Sequence, residues 1–324
     1  MKDNLEIVFE QDIQNWNQLL ADVIAGLSKA KKTLPCKWLY DAAGSALFEE
    51  ITKLPEYYLT RVETRLLESL KTELAEALPE LSLMIEPGSG SSNKTRILLA
   101  SQTRLREYVP MDISAEFLVE VAAQLQQQFR HLKVSPLVGD FTDRIEPIAS
   151  HDHAECLIFF PGSTIGNFDP VEARDLLRRI RGMIDKPGYL LIGVDMTQDV
   201  SQLLAAYNDA AGITAMFNLN LLARINRELG ANFDLDKFSH RAIFNPDEHR
   251  IEMHLVSNEA QEVEISGLVV SFEAGETIHT ENCYKYPGQK FEALLNASGW
   301  QVQQVWKDQE TSGFGLYLLK SDTA

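Results

Sequence analysis

Between residues 83 and 195, short and continuously apolar runs alternate with amphipathic segments, and this rhythm constrains the chain more than any other feature. The runs are Leu83–Ile85, Tyr108–Met111, Ser135–Val138, Cys156–Phe160 and Tyr189–Val194, and the intervening segments include Asn93–Gln102, Ala115–Gln128 and Pro170–Met183. Strands buried on both faces read as unbroken apolar runs rather than alternating ones. Strands spaced by helices of this length predict βαβ units with right-handed crossovers, hence an α/β fold whose parallel sheet carries helices on both faces. Ligands of such sheets bind at the carboxyl ends of the strands, where the strand order switches.

The flanking regions follow another pattern. Residues 1–80 read as helical, with Leu19, Leu20, Val23, Ile24 and Leu27 on one face and Leu66, Leu67, Leu70, Leu74 and Leu78 on a later one. Between them, residues 38–45 and the stretch Pro55-Glu56-Tyr57-Tyr58 read as an aromatic, loop-rich connector. After Asp195 the rhythm stops: residues 197–230 look helical up to a Gly230-Ala231-Asn232 stop, and Arg250–Val256 and Glu262–Ile265 look like strands. A helix at Gly288–Ala297 and strands at Trp300–Trp306 and Phe314–Leu319 then return, so a second domain inserted between pieces of the first is expected.

Charge narrows the partners. With 30 Lys and Arg against 47 Asp and Glu the chain carries −17, which disfavours nucleic acid and anionic membrane surfaces. The densest basic stretch, Arg174 with Arg178, Arg179 and Arg181, alternates with Leu176, Leu177 and Ile180 and reads as the wet face of one helix. No apolar run is long enough to span a bilayer and the first residues lack a signal-peptide pattern, so a cytoplasmic location is expected. Three cysteines, Cys36, Cys156 and Cys283, suggest neither a disulfide framework nor a thiolate cage.

The strongest local signal is Leu83-Met84-Ile85-Glu86-Pro87-Gly88-Ser89-Gly90-Ser91-Ser92-Asn93-Lys94-Thr95, a strand entering a glycine turn and then a helix. Three kinds of site use such a turn. A phosphate-cradling loop needs a second glycine where Asn93 stands, and a dinucleotide fingerprint needs its third glycine at the same place. An S-adenosylmethionine site asks less of the loop: Glu86 precedes the Gly88-Ser89-Gly90 turn, Asp112 ends the next run to meet ribose hydroxyls, and Asp140 with Phe141 offers a carboxylate and an aromatic face to the adenine. Capping of the following helices is the competing role for Asp112 and Asp140.

Longer motifs carry a resemblance. Tyr40 to Phe48, Leu54 to Tyr58, Gly88 to Gly90 with Lys94-Thr95, Phe160 to Phe168, Ala206 to Asn208, Phe217 to Leu222 and Ile278 to Asn282 resemble the histidine-specific methyltransferases that open ergothioneine biosynthesis. The resemblance runs from about residue 36 to the last strand. It implies a Rossmann-like class I methyltransferase sheet (60–196 and 287–324) with an α+β substrate-binding domain (1–59 and 197–286). It also implies transfer of three methyl groups from S-adenosyl-L-methionine to the α-amino nitrogen of L-histidine, giving hercynine and S-adenosyl-L-homocysteine. By position, it implies Tyr57, Asn167 and Tyr207 around the amino and carboxylate groups, with Phe48 and Gly162 as further substrate-binding residues. Glu281 and residue 283 then face the imidazole with Tyr40 and Met253, while Glu86, Gly88, Ser89, Gly90, Lys94, Asp112, Asp140 and Phe141 serve the cofactor. Position 283 departs from the family, which has Ser where this chain has Cys283. The implied enzyme is a monomer acting on a small molecule, without metal. Another aromatic amino acid or indole amine remains open as substrate, as do a P-loop enzyme and a binding protein without turnover.

The residues themselves are consistent with an imidazole pocket. Neutral imidazole has one donor and one acceptor nitrogen, and Glu281 with Cys283 offers two polar groups on one face of a strand. Tyr57, or a water held by Asn167, is the expected proton relay for the incoming ammonium. His151-Asp152-His153 has a metal-like look, but the expectation is a solvated loop; His240, His249, His254 and His279 read as scattered, and Cys36 and Cys156 as packing residues.

Overall fold

The computed structural model describes residues 16–143, 145–148, 153–308, 310 and 313–321. These divide into two compact units, Tyr57–Leu203 with Cys283–Ala324, and Met1–Glu56 with Leu204–Asn282.

The larger unit is built on an eight-stranded sheet. From edge to edge its order is Trp300–Lys307, Phe314–Ser321, Tyr189–Asp195, Glu155–Phe160, Leu81–Pro87, Glu107–Asp112 and Lys133–Val134, with Leu137–Val138 also pairing with Glu107–Asp112. All neighbours are parallel except Phe314–Ser321, which runs antiparallel to both of its partners. Chain order reverses at Leu81–Pro87, which lies between Glu107–Asp112 and Glu155–Phe160, and that reversal opens a switch point at its carboxyl end. The unbroken apolar runs are buried as their composition requires: Leu83, Ile85, Ile158, Phe160, Leu190, Ile192 and Val194 pack with Leu176, Leu177, Ile180, Phe291 and Leu295 of two covering helices. One of those helices, Pro170–Arg181, starts at a capping box in which the Asp169 carboxylate accepts the Val171 and Glu172 N–H groups and Glu172 returns a bond to the Asp169 N–H.

One expected strand, Ser135–Val138, is instead two short pieces, Lys133–Val134 and Leu137–Val138. Their partners are Glu107-Tyr108 and Met111-Asp112, so the gap falls opposite Val109-Pro110. Pro110 and Pro136 have no N–H to give the ladder, and pairing is interrupted where both stand.

The smaller unit holds a four-stranded sheet in the order Lys32–Thr33, Thr277–Tyr284, Arg250–Ser257 and Phe238–Asn245, and a hairpin of Gln261–Ile265 with Leu268–Phe272. Ser266 and Gly267, at φ 47° and 85°, form its turn. Residues 197–230 are two helices, Val200–Tyr207 and Ile213–Leu229, because Asp209 accepts the Ile213 and Thr214 N–H groups at 2.9 and 2.8 Å and so starts a new helix. Residues 38–45 are likewise less loop-like than their composition suggests. Asp41 accepts the Gly44 N–H at 2.7 Å and caps the helix Ala42–Ile51; Gly44 is needed because a Cβ there would stand 1.8 Å from the Leu39 carbonyl oxygen.

Candidate functional site

At the switch point the glycine loop turns through Gly88, Gly90 and Ser92, at φ 69°, 50° and 55°. Gly88 disfavours a side chain, since its backbone is left-handed and a Cβ would lie 3.1 Å from the Phe141 ring, which would have to give way. The Phe141 ring also packs edge-on against Phe160 and Phe168, at 5.6 and 6.4 Å between centroids. The neighbouring strand end closes over the loop: Ser89 N–H donates to the Met111 carbonyl at 2.9 Å and Gly90 N–H to Asp112 Oδ2 at 3.1 Å. Asp112 also accepts the Ser114 N–H at 3.0 Å, so the same carboxylate holds the glycine turn and the residue just ahead of the next helix. Burial outweighs these bonds and raises its pKa above the usual carboxylate value. Asp140 accepts both the Thr142 N–H and hydroxyl, at 2.8 and 2.6 Å, which orders the turn that presents Phe141.

Glu86 does different work. Its fully buried Oε2 accepts the hydroxyls of Thr95 and Tyr108, both at 2.5 Å, and burial pushes its pKa up to about 7 against the pull of those bonds. It ties the helix after the loop to the strand beside it. Lys94 pairs with Glu63, a buried residue that sequence reading did not single out, and Glu63 also accepts the Gly162 N–H at 3.1 and 2.9 Å.

Gly162 and Ser163 both adopt left-handed backbone, at φ 84° and 56°, and lead into the 3₁₀ turn Thr164–Asn167 that carries Asn167. Ser163 Oγ accepts the Asp195 N–H at 2.9 Å, which anchors this turn to the end of a central strand. The Asp195 carboxylate in turn accepts the Tyr58 hydroxyl at 2.6 Å and pairs with the Lys285 ammonium at 2.8 Å, and Lys285 donates to Cys283 Sγ at 3.2 Å. Burial alone would lower the Lys285 pKa, but the Asp195 charge outweighs it and holds the ammonium well above its ordinary value. The i, i+2 spacing of Cys283 and Lys285 is the one sequence signal for this contact. Tyr57 lies just ahead of Tyr58 at the helix start and is buried.

In the smaller unit Tyr40, Phe48 and Phe217 form an aromatic trio with centroids 5.3 to 6.0 Å apart. Phe217 adds to the two expected members. Tyr207 is held through its carbonyl, which takes the His240 Nε2–H at 2.8 Å, while His240 Nδ1 accepts from Asn218 at 2.9 Å, so the two contacts select one tautomer. Met253 and Glu281 are buried on adjacent strands, and the Glu281 carbonyl accepts from His279 Nε2 at 3.1 Å. His279 and His254 do not lie scattered: their rings stack at 4.8 Å, and His254 reaches Glu252 at 3.1 Å. Burial would raise the Glu252 pKa, but bonds from Asn245, Arg250 and His254 hold it down to about 2. His151 and Asp152 lie outside the described residues; His153 is largely buried 3.7 Å from Glu107 rather than solvated.

The expected cofactor residues Glu86, Gly88, Ser89, Gly90, Lys94, Asp112, Asp140 and Phe141 thus converge at adjacent strand ends of the larger unit, which also contains Tyr57, Gly162, Asn167 and Cys283. Tyr40, Phe48, Tyr207, Met253 and Glu281 belong to the smaller unit.

Residues 19–321 match the model of the histidine-specific, S-adenosylmethionine-dependent methyltransferases. The chain belongs to that family. Histidine N-alpha-methyltransferase of Mycobacterium tuberculosis is 41% identical over 305 residues, covering 93% of this chain and 94% of the relative, and that of Mycolicibacterium smegmatis matches equally. Ergothioneine biosynthesis protein 1 of Neurospora crassa is 29% identical over 308 residues, which are 89% of this chain but 33% of that longer protein. The family is S-adenosylmethionine-dependent, and the loop fits that cofactor. Among the described residues Ser89 Oγ is buried without a hydrogen-bond partner, and a Cβ on Gly90 would meet nothing within 4 Å, which leaves one hydroxyl and open space beside the turn.

Proposed function

We propose that this enzyme transfers three methyl groups from S-adenosyl-L-methionine to the α-amino nitrogen of L-histidine, producing hercynine as the first step of ergothioneine biosynthesis. The observation that carries the reading is the 41% identity, over nearly the full length of both chains, to enzymes named for histidine Nα-methylation. The bound cofactor supplies an already activated methyl on a sulfonium, so the protein needs no covalent nucleophile. Its task is to hold a neutral amine in line with that methyl, and positioning of this kind is worth several kcal/mol of barrier.

In this reading Tyr57, Asn167 and Tyr207 serve the amino and carboxylate groups, Glu281 and Cys283 serve the imidazole with Tyr40 and Met253 lining that end, and Phe48 and Gly162 are further substrate-binding residues. A buried pocket favours the neutral amine over the ammonium. The Tyr57 hydroxyl, or a water on Asn167, accepts a hydrogen bond from the ammonium and relays one proton to solvent before each transfer. Tyr57→Phe is expected to slow every methylation step, and unchanged rates would remove Tyr57 from the relay. The substrate is tested by incubating the protein with S-adenosylmethionine and an amino-acid panel and weighing the products. Histidine alone should gain methyls; methylation of another aromatic amine, or ATP consumption without methyl transfer, would contradict the reading.

A further inference from the structure

Glu63 is fully buried in the helix Tyr58–Ser69, where its oxygens receive two groups from separate segments of the larger unit. One is the Lys94 ammonium of the glycine loop, and the other is the Gly162 N–H. Room for the carboxylate is made by a strand glycine: a Cβ on Gly193 would stand 1.9 Å from Glu63 Oε1. The Lys94 side chain is 17% exposed and a Cβ on Gly162 would lie 3.7 Å from its Nζ, so the pair sits where the glycine loop and the loop bearing Asn167 meet. The cofactor that this loop serves carries a fixed positive charge on sulfur, and its demethylated product does not. An unpaired lysine ammonium in such a site would repel the first and spare the second.

We infer that Glu63 is the counter-charge of the cofactor site, a positioning residue that neutralises Lys94 so that the loop uses a lysine donor and still admits a sulfonium. The inference rests on the reading that Lys94 lines the cofactor site. Its signature is the ratio of the affinities for S-adenosylmethionine and S-adenosylhomocysteine, which a role in packing alone would leave unchanged.

Calorimetric titration of both ligands into the wild type, Glu63→Gln, Lys94→Met and the double variant tests it. Glu63→Gln should weaken S-adenosylmethionine about tenfold more than S-adenosylhomocysteine, the scale of a lost short-range charge partner. The double variant should return the ratio to that of the wild type. Lys94→Met alone leaves a carboxylate without its cation and should shift the ratio the opposite way, which keeps the test decisive where Glu63→Gln does not fold. Equal weakening of both ligands in Glu63→Gln, or a ratio that ignores Lys94, would overturn the role. A wild type that binds neither ligand would overturn the cofactor reading beneath it.

Discussion

A buried carboxyl group that keeps its proton near neutrality links stability to pH in a definite direction, and Glu86 is such a group. Burial raises its pKa from an ordinary 4.5 to about 7, so the folded state holds the proton more tightly than the unfolded one. The stabilisation is therefore fully present below pH 4.5 and is lost as pH rises through about 7. Glu86→Gln should flatten that part of the profile, read as the difference from wild type in urea midpoints between pH 5 and 8; parallel profiles would refute the assignment. At Gly88 the argument is steric. Gly88→Ala must place a side chain in left-handed backbone and against Phe141, at a cost of about 1–2 kcal/mol before any effect on the ligand. Gly90→Ala pays only the backbone part, so thermal melts with and without S-adenosylmethionine should show the larger loss of both stability and ligand-induced shift at Gly88. Such residue-level details were unevenly legible. The turn glycines and strand-end acids announce themselves by spacing, whereas Glu63 sits in an amphipathic helix sequence where glutamate is ordinarily solvated, and its partners Lys94 and Gly162 are far away in the chain.

Among the elements, the helix Ile213–Leu229 is tied to three strands by a single side chain. Asn218 is fully buried; its amide bonds to His240 Nδ1 and the His254 carbonyl at 2.9 and 3.2 Å, and its oxygen accepts the Thr280 hydroxyl at 2.7 Å. Asn218→Ala should cost about 2–3 kcal/mol in denaturant unfolding, because it leaves buried polar groups unsatisfied. Loss below about 0.5 kcal/mol would mean that these groups find other partners. The strands of the larger unit could be read from composition because burial on both faces demands unbroken apolar runs. The break opposite Pro110 could not, since it depends on which residues pair across two strands. The helix at Ala42–Ile51 was hidden for a similar reason: glycine and aspartate look like loop residues until Asp41 is seen accepting the Gly44 N–H.

On the scale of the whole molecule, the expected site residues fall into two units, the smaller joining the segment before the α/β rhythm to the one that interrupts it. One unit supplies the glycine loop and the strand-end acids, and the other supplies Tyr40, Phe48, Tyr207, Met253 and Glu281. Among the described residues no helix is long and apolar enough to cross a membrane. The choice of substrate was legible only through long motifs, because one Glu and one Cys on a strand do not by themselves distinguish an imidazole from any other polar ligand. The central claim, trimethylation at the α-nitrogen of histidine, is tested most directly with methyl-¹³C S-adenosylmethionine and L-histidine, following the product by NMR and mass. The account predicts a single end product with three equivalent methyls on the α-nitrogen and three S-adenosylhomocysteine released per histidine. A methyl on an imidazole nitrogen, or a reaction that ends at one methyl, would contradict it.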